Sequence, residues 1–389
     1  MVFYLDHAAT TPLRPESRQA WLAASTEPGN AASTHGAGQR ARRLLEESRE
    51  RIAAVLDCEP IEVVLTSGGT ESINTALRGL WRVRAEKSRS IVLPDGEHHA
   101  TMDTVGALVA DGAQCVPVRL DSVGRIDADA FAAALPGAAL ATALVANNEV
   151  GTVNDAAALA RAAGRTAVPM HLDAVAGLGH VPLSFRDLRG DAPAAGGLVA
   201  MSLAGHKVGA PVGIGALIVA RTARMAPLLH GGSQQRGLRA GTQDIAGAAA
   251  FAAALECAET ERVTENQRLG ALRDLLIAGI LASVPAAELL GDPIDRLPNN
   301  AHILFPGAVG ESLLFLLDVA GVAASTGSAC QAGVAEPSHV VMAMGRSEHD
   351  ARSVLRFTFG RTSSDADVDA VLAVIVDAYA RASGTLNGR

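Results

Sequence analysis

Cysteine is scarce in this chain and widely spaced: Cys58, Cys115, Cys257 and Cys330 form no Cys-x-x-Cys pair. That excludes a disulfide framework and a zinc cluster, so no metal site is expected, and it implies a reducing compartment. Positive charge is also in deficit, with a formal net charge of -8. A phosphate-tracking surface is therefore not expected, and no direct nucleic-acid binding with it. The arginines between 39 and 49 alternate with acids at helical spacing and read as a solvated helix face. No segment is long and apolar enough for a convincing membrane span; the alanine-rich run 245–255 is too short and reads as a buried helix. The first ten residues lack the pattern of a signal peptide, so a cytoplasmic protein is expected. Internal repeats, low-complexity tracts and flexible linkers are missing too.

What is present is 389 residues, 49% of them hydrophobic, enough for a large core and a second smaller unit. Short apolar runs at 63–66, 90–93, 114–118, 143–146, 168–172, 198–202 and 215–219 alternate with helical patterns. Such alternation predicts an α/β fold: a mostly parallel sheet covered by helices on both faces, with ligands at the carboxyl ends of the strands. A long helical stretch, 244–283, then leads into a region of different order, read as a smaller α+β domain with the first residues of the chain beside it. The expected division is 15–257 for the large domain, with 1–14 and 258–389 forming the small one.

Chemistry concentrates where those strands end. Lys207 follows one of them in a glycine-rich turn, and Asp173 ends an earlier one. Together they match what a pyridoxal phosphate (PLP) site requires: an amine for the aldehyde and a carboxylate that keeps the pyridine nitrogen protonated. Singly, each has a plainer reading, as a solvated lysine and as a helix cap. The turn Thr66-Ser-Gly-Gly-Thr-Glu-Ser72 opens a helix and could hold a phosphate on its N–H groups, although such turns also occur without a ligand. His98 and His99 follow the next strand, either as loop histidines or with one imidazole against a planar cofactor. Asn147 and Asn148 end another, either as a turn or as an amide donor to the cofactor. Cys330, among small residues in 326–333, has the setting of an exposed thiol, whereas Cys257 sits in an alanine-rich helix and reads as buried. Cys58 and Cys115 read as structural.

Taken in order, these segments resemble the NifS/IscS-type cysteine desulfurases of the class V aminotransferase, fold-type I PLP family. The similarity covers nearly the whole chain and adds Tyr4-Leu-Asp-His-Ala-Ala-Thr-Thr-Pro12, Gly29-Asn-Ala-Ala-Ser-Thr-His35, Arg239-Ala-Gly-Thr242, Ser325-Thr-Gly-Ser-Ala-Cys330 and Ser353-Val-Leu-Arg-Phe357 to those above. It implies that Lys207 binds the cofactor as a Schiff base, that Asp173 pairs with the ring nitrogen and that His98 stacks on the ring. Asn148 would contact the phenolic oxygen, Thr70 and His206 the phosphate, and Arg356 the carboxylate of L-cysteine. Thr242 would complete the phosphate cup of a second subunit, making the active unit a homodimer. Cys330 would receive the sulfur as a persulfide and pass it to an acceptor or scaffold protein, with alanine released.

The acceptor stays open between iron-sulfur cluster assembly, tRNA thiolation and DNA sulfur modification. A selenocysteine lyase or a class V aminotransferase on the same fold is the alternative activity. Two positions depart from the family pattern: Ala176 stands where a glutamine commonly contacts the phenolic oxygen, and Ala204 where many members carry a serine. Each loses a possible hydrogen bond worth about 0.5 to 1.5 kcal/mol.

Overall fold

Seven strands form one sheet in the computed structural model of the protein: β1 Val63–Thr66, β2 Ser90–Pro94, β3 Gln114–Val118, β4 Leu140–Leu144, β5 Pro169–Asp173, β6 Gly197–Ala204 and β7 Gly215–Val219. The structure describes residues 2–328, 330–331 and 334–384, without the side chains of residues 330, 331, 334 and 335. Sheet order is β1-β7-β6-β5-β4-β2-β3, and only β7 runs against its neighbours. All residues of β4, β6 and β7 are buried, as strands covered on both faces must be. Their carboxyl ends line up because β4, β5 and β6 pair in register, Leu144 beside Asp173 and Asp173 beside Ser202.

The run expected as a strand at 143–146 is displaced: β4 starts at Leu140, and Ala146 makes only an isolated bridge with Val153. The apolar stretch is continuous there, so hydrophobicity alone does not mark where the ladder begins. The helix Gly36–Leu56 is solvated on one face as expected, but Arg49 is buried and bonded to Glu46 (2.5 Å), Gln235 (3.2 Å) and Gln243 (3.0 Å). Its guanidinium is a clamp on distant chain, not a surface charge.

The long helix runs Ile245–Ser283, capped by Asp244, whose carboxylate accepts the Gly247 N–H at 2.8 Å. Its residues 247–255 are all buried, as the alanine-rich run implied. Ala258 still packs on the core around the seven-stranded sheet, whereas Leu269, Leu272, Leu276 and Ile280 belong to a second core. That second core contains Leu5, the helices Gly310–Val319 and Asp365–Ala382, and an antiparallel sheet of Glu288–Leu290, Asn300–Leu304 and Val354–Thr358. The start of the chain joins it, Phe3–Tyr4 pairing in parallel with Val322–Ala323. The site lies where the two cores meet.

Candidate active site

A cavity of about 390 Å³ opens at the carboxyl ends of β1, β2, β4, β5 and β6 and is closed on the far side by residues of the second core. Thr70, His98, Asn148, Asp173, His206 and Lys207 all line it, as does Arg356 from the antiparallel sheet. So do Ala176 and Ala204, which place methyl groups at its wall. Thr242 is not among the lining residues of this chain and is exposed. The side chain of Cys330 lies outside the described residues, but Ser325, Gly327 and Ser328 just before it line the same cavity.

The turn after β1 enters the helix Gly69–Val83. Thr66 and Ser72 hydroxyls bond each other at 2.7 Å inside the turn, which leaves Thr70 and the first helical N–H groups to face the cavity. Gly69 permits a close approach: a Cβ there would stand 2.9 Å from Val175 Cγ2. Behind the turn, Glu71 accepts the Ser67 N–H at 2.7 Å and pairs with Arg239 at 2.9 Å, tying the 239–242 segment to it.

Asp173 ends β5 with 2% exposure, and its Oδ1 accepts the Val175 N–H at 2.9 Å. Among the described residues no cation lies within ion-pairing distance of it. Burial therefore pushes its pKa up to about 6, against the opposing effects of the Val175 N–H and the Lys207 charge. Lys207 ends the short turn Gly205–Lys207 that follows β6 directly. Its ammonium donates to the carbonyls of Ala8 and Ala9. Burial and then the Arg356 charge lower its pKa to about 8, while Asp6 and Asp173 work in the other direction.

His98 caps the helix His99–Ala110: its Nδ1 accepts the Ala100 N–H at 3.0 Å, so the neutral ring carries its proton on Nε2. Its ring is open to the cavity, yet desolvation in the cleft and the Lys207 charge hold its pKa down at about 4. His206 is lowered to about 4 by the same two causes, and its Nδ1 lies 3.4 Å from Thr10 Oγ1. Arg356 is 5% exposed, donating from Nη1 to Asn148 O at 2.8 Å and from Nη2 to Asp6 Oδ1 at 3.0 Å. Asn148 Oδ1 and Arg356 Nε, both buried at this end, have no partner among the described residues.

These features fit PLP. A buried carboxylate with no cation suits a protonated ring nitrogen; an amine with a lowered pKa suits an aldehyde; a helix N-terminus suits a phosphate; an orphaned amide suits a polar ring substituent. No cluster able to hold a metal ion occurs among the described residues. Several participants were not singled out in the sequence. Asp6 acts on Arg356, the Ala8 and Ala9 carbonyls hold Lys207, His302 bonds the Glu149 carbonyl, and Glu149 and His339 line the cavity. Asp6 and Ala8 lie within a segment that carries the family resemblance, which was the available signal; Glu149 directly follows Asn148. Glu97, fully buried with Oε1 on the Leu144 N–H and Oε2 without a partner among the described residues, has its pKa raised by burial and by Asp173. Cys257, expected to be buried, is half-exposed.

The fold and site together define a fold-type I PLP enzyme. Residues 3–371 match the family model described as Aminotransferase class-V. The chain is 45% identical to an IscS-like cysteine desulfurase of Mycobacterium tuberculosis, over 97% of this chain and 96% of that protein. It is 37% identical to the cysteine desulfurase NifS of Azotobacter vinelandii, over 95% and 90% of the two chains. A solved structure described as a NifS-like protein superposes with a TM-score of 0.89 at 29% identity, covering 97% of this chain and 99% of the other. The chain belongs to the class V aminotransferase family.

Proposed function

We propose that this protein is a PLP-dependent cysteine desulfurase that converts L-cysteine to L-alanine and takes the sulfur onto Cys330. The observation that carries the reading is a convergence. Lys207, Asp173 and Arg356 face one cavity, and the segment leading into Cys330 lines that same cavity. An aminotransferase has no use for a thiol-bearing segment at that place.

When bound, PLP supplies an aldehyde for the substrate amine and a ring that accepts the electron pair left at the α-carbon. Arg356 holds the substrate carboxylate, oriented by Asp6 and the Asn148 carbonyl. The Lys207 amine, with its pKa near 8, takes the α-proton and can return it elsewhere on the substrate. Asp173 provides the fixed negative charge that keeps the ring nitrogen protonated, and its burial strengthens that effect. His98, neutral at pH 7, lines the cavity where it would pack against the ring and could exchange protons through Nε2. Cys330 as thiolate attacks the substrate sulfur; the new S–S bond forms as the substrate Cβ–S bond breaks, and the Cβ left behind gains a proton to become alanine.

The division into 15–257 and 1–14 with 258–389 belongs to this reading, as does a homodimer in which Thr242 reaches the partner's phosphate. Exposure of Thr242 and the anchoring of its segment by Arg239 and Gln243 support the latter. No helix among the described residues is long and apolar enough to cross a membrane. A cytoplasmic location and delivery of sulfur to an acceptor protein complete the proposal. The test is PLP-loaded protein supplied with L-cysteine and a reductant: alanine and sulfide should appear in equal amounts, and Lys207→Ala should yield neither.

A further inference from the structure

The geometry points to Glu149 as a positioning residue that fixes both stems of the Cys330 segment against the cofactor cavity, an inference that rests on the desulfurase reading above. Glu149 directly follows Asn148 and is 1% exposed. Its backbone is held by Asn147, whose Oδ1 accepts the N–H groups of Glu149 at 2.9 Å and Val150 at 3.0 Å.

The carboxylate serves the stem after Cys330. Ser338, wholly buried, donates from Oγ to Glu149 Oε2 at 2.5 Å, and Ser338 Oγ in turn accepts the Val341 N–H at 3.1 Å. The next residue, His339, lines the cavity with Nδ1 3.9 Å from Glu149 Oε1, and its Nε2–H donates to Glu97 O at 3.0 Å. The Glu149 carbonyl serves the stem before Cys330. It accepts from Asn300 Nδ2 at 3.0 Å and from His302 Nδ1 at 2.8 Å.

Because a carbonyl can only accept, His302 carries its proton on Nδ1, and its buried Nε2 has no partner among the described residues. His302 pairs directly across the sheet with Arg356 and lies beneath Gly327, where a Cβ would stand 2.8 Å from its Cε1. Gly327 has φ +86°, and Ser325 exchanges two backbone hydrogen bonds with Arg356, at 3.1 and 2.6 Å. Glu149 thus reaches both stems, the one after Cys330 through its carboxylate and the one before it through its main-chain carbonyl and the His302 ring, so side-chain variants at 149 read the first of these. A buried carboxylate is a costly means of holding one hydroxyl, and its placement next to Asn148 links the cofactor-facing loop to the sulfur-accepting segment.

The experiment compares PLP-loaded wild type with Glu149→Ala, Glu149→Gln, Ser338→Ala and the double alanine variant. It measures cofactor absorbance, the cysteine concentration that half-saturates the spectral change, and the single-turnover rate of sulfur transfer to Cys330. Glu149→Ala should keep the absorbance and the half-saturation while transfer slows by at least about tenfold. Glu149→Gln, whose amide oxygen still accepts from Ser338, should recover most of the rate. Ser338→Ala should slow transfer comparably, and the double variant no further. Unchanged transfer in Glu149→Ala, a loss that merely tracks cofactor content or cysteine affinity, or losses that multiply in the double variant would overturn the inference alone. Wild type that places no sulfur on Cys330 overturns the desulfurase reading, and this inference with it.

Discussion

Arg356 and Asp6, 350 residues apart in sequence, form an ion pair of 3.0 Å with side-chain exposures of only 6% and 22%. The strand bearing Arg356 is thereby tied to the first residues of the chain, whose Ala8 and Ala9 carbonyls also hold Lys207. One short segment thus orients both the guanidinium proposed to bind the substrate carboxylate and the amine proposed to move its proton. Asp6→Asn should lower kcat/KM for cysteine by about ten- to a hundredfold, mainly through KM, since a charge-assisted bond of this kind contributes about 1.5 to 3 kcal/mol. Steady-state alanine release measures it, and unchanged KM would show that Arg356 needs no such support.

Asp173 should destabilise the protein it serves when the cofactor is missing. Its pKa is raised from 3.8 to about 6 on folding. The folded form therefore binds more protons between those values, so the cost is nil below 3.8, grows as pH rises and is complete above about 6. Asp173→Asn keeps an oxygen for the Val175 N–H and removes the charge. Cofactor-free Asp173→Asn should be more stable than wild type at pH 7 by roughly 1 to 3 kcal/mol, with most of that gain lost at pH 4. Urea unfolding at both pH values decides this.

Lys207 should make cofactor capture pH-dependent in the neutral range. With a pKa near 8 instead of 10.5, about one amine in ten is neutral at pH 7. The rate at which cofactor-free protein takes up PLP should rise roughly tenfold between pH 7 and 9 and then level off. A tenfold rise per unit continuing to pH 10 would place the amine at its ordinary pKa.

The other thiols should be dispensable. Burial and nearby acids push Cys58 up to about 12; Cys115 and Cys257 are raised mainly by desolvation. The triple variant Cys58→Ala, Cys115→Ala, Cys257→Ala should retain wild-type turnover, measured as alanine per subunit per minute.

Much of the fold was legible because strands buried on both faces read as unbroken apolar runs, and the groups at their ends read as chemistry. Lys207, Asp173, His98 and Asn148 each follow such a strand, so their convergence came from topology visible in sequence. The misplaced start of β4 shows the limit: in Ala138-Ala-Leu-Ala-Thr-Ala-Leu-Val-Ala146 every residue but one is apolar, and register is set by pairing with β5. The supporting groups were hidden for another reason. Asp6 acts on Arg356, Glu149 on Ser338 and His302 on Gly327 across sheets and cores, and no local pattern records those contacts.

Sulfur transfer to Cys330 is the central claim, and its most direct measurement is the mass of the Cys330 peptide after one turnover without reductant. The peptide should gain one sulfur atom per alanine released, and Cys330→Ala should release no alanine beyond background. Wild-type alanine release from Cys330→Ala, or a Cys330 peptide of unchanged mass, would contradict it.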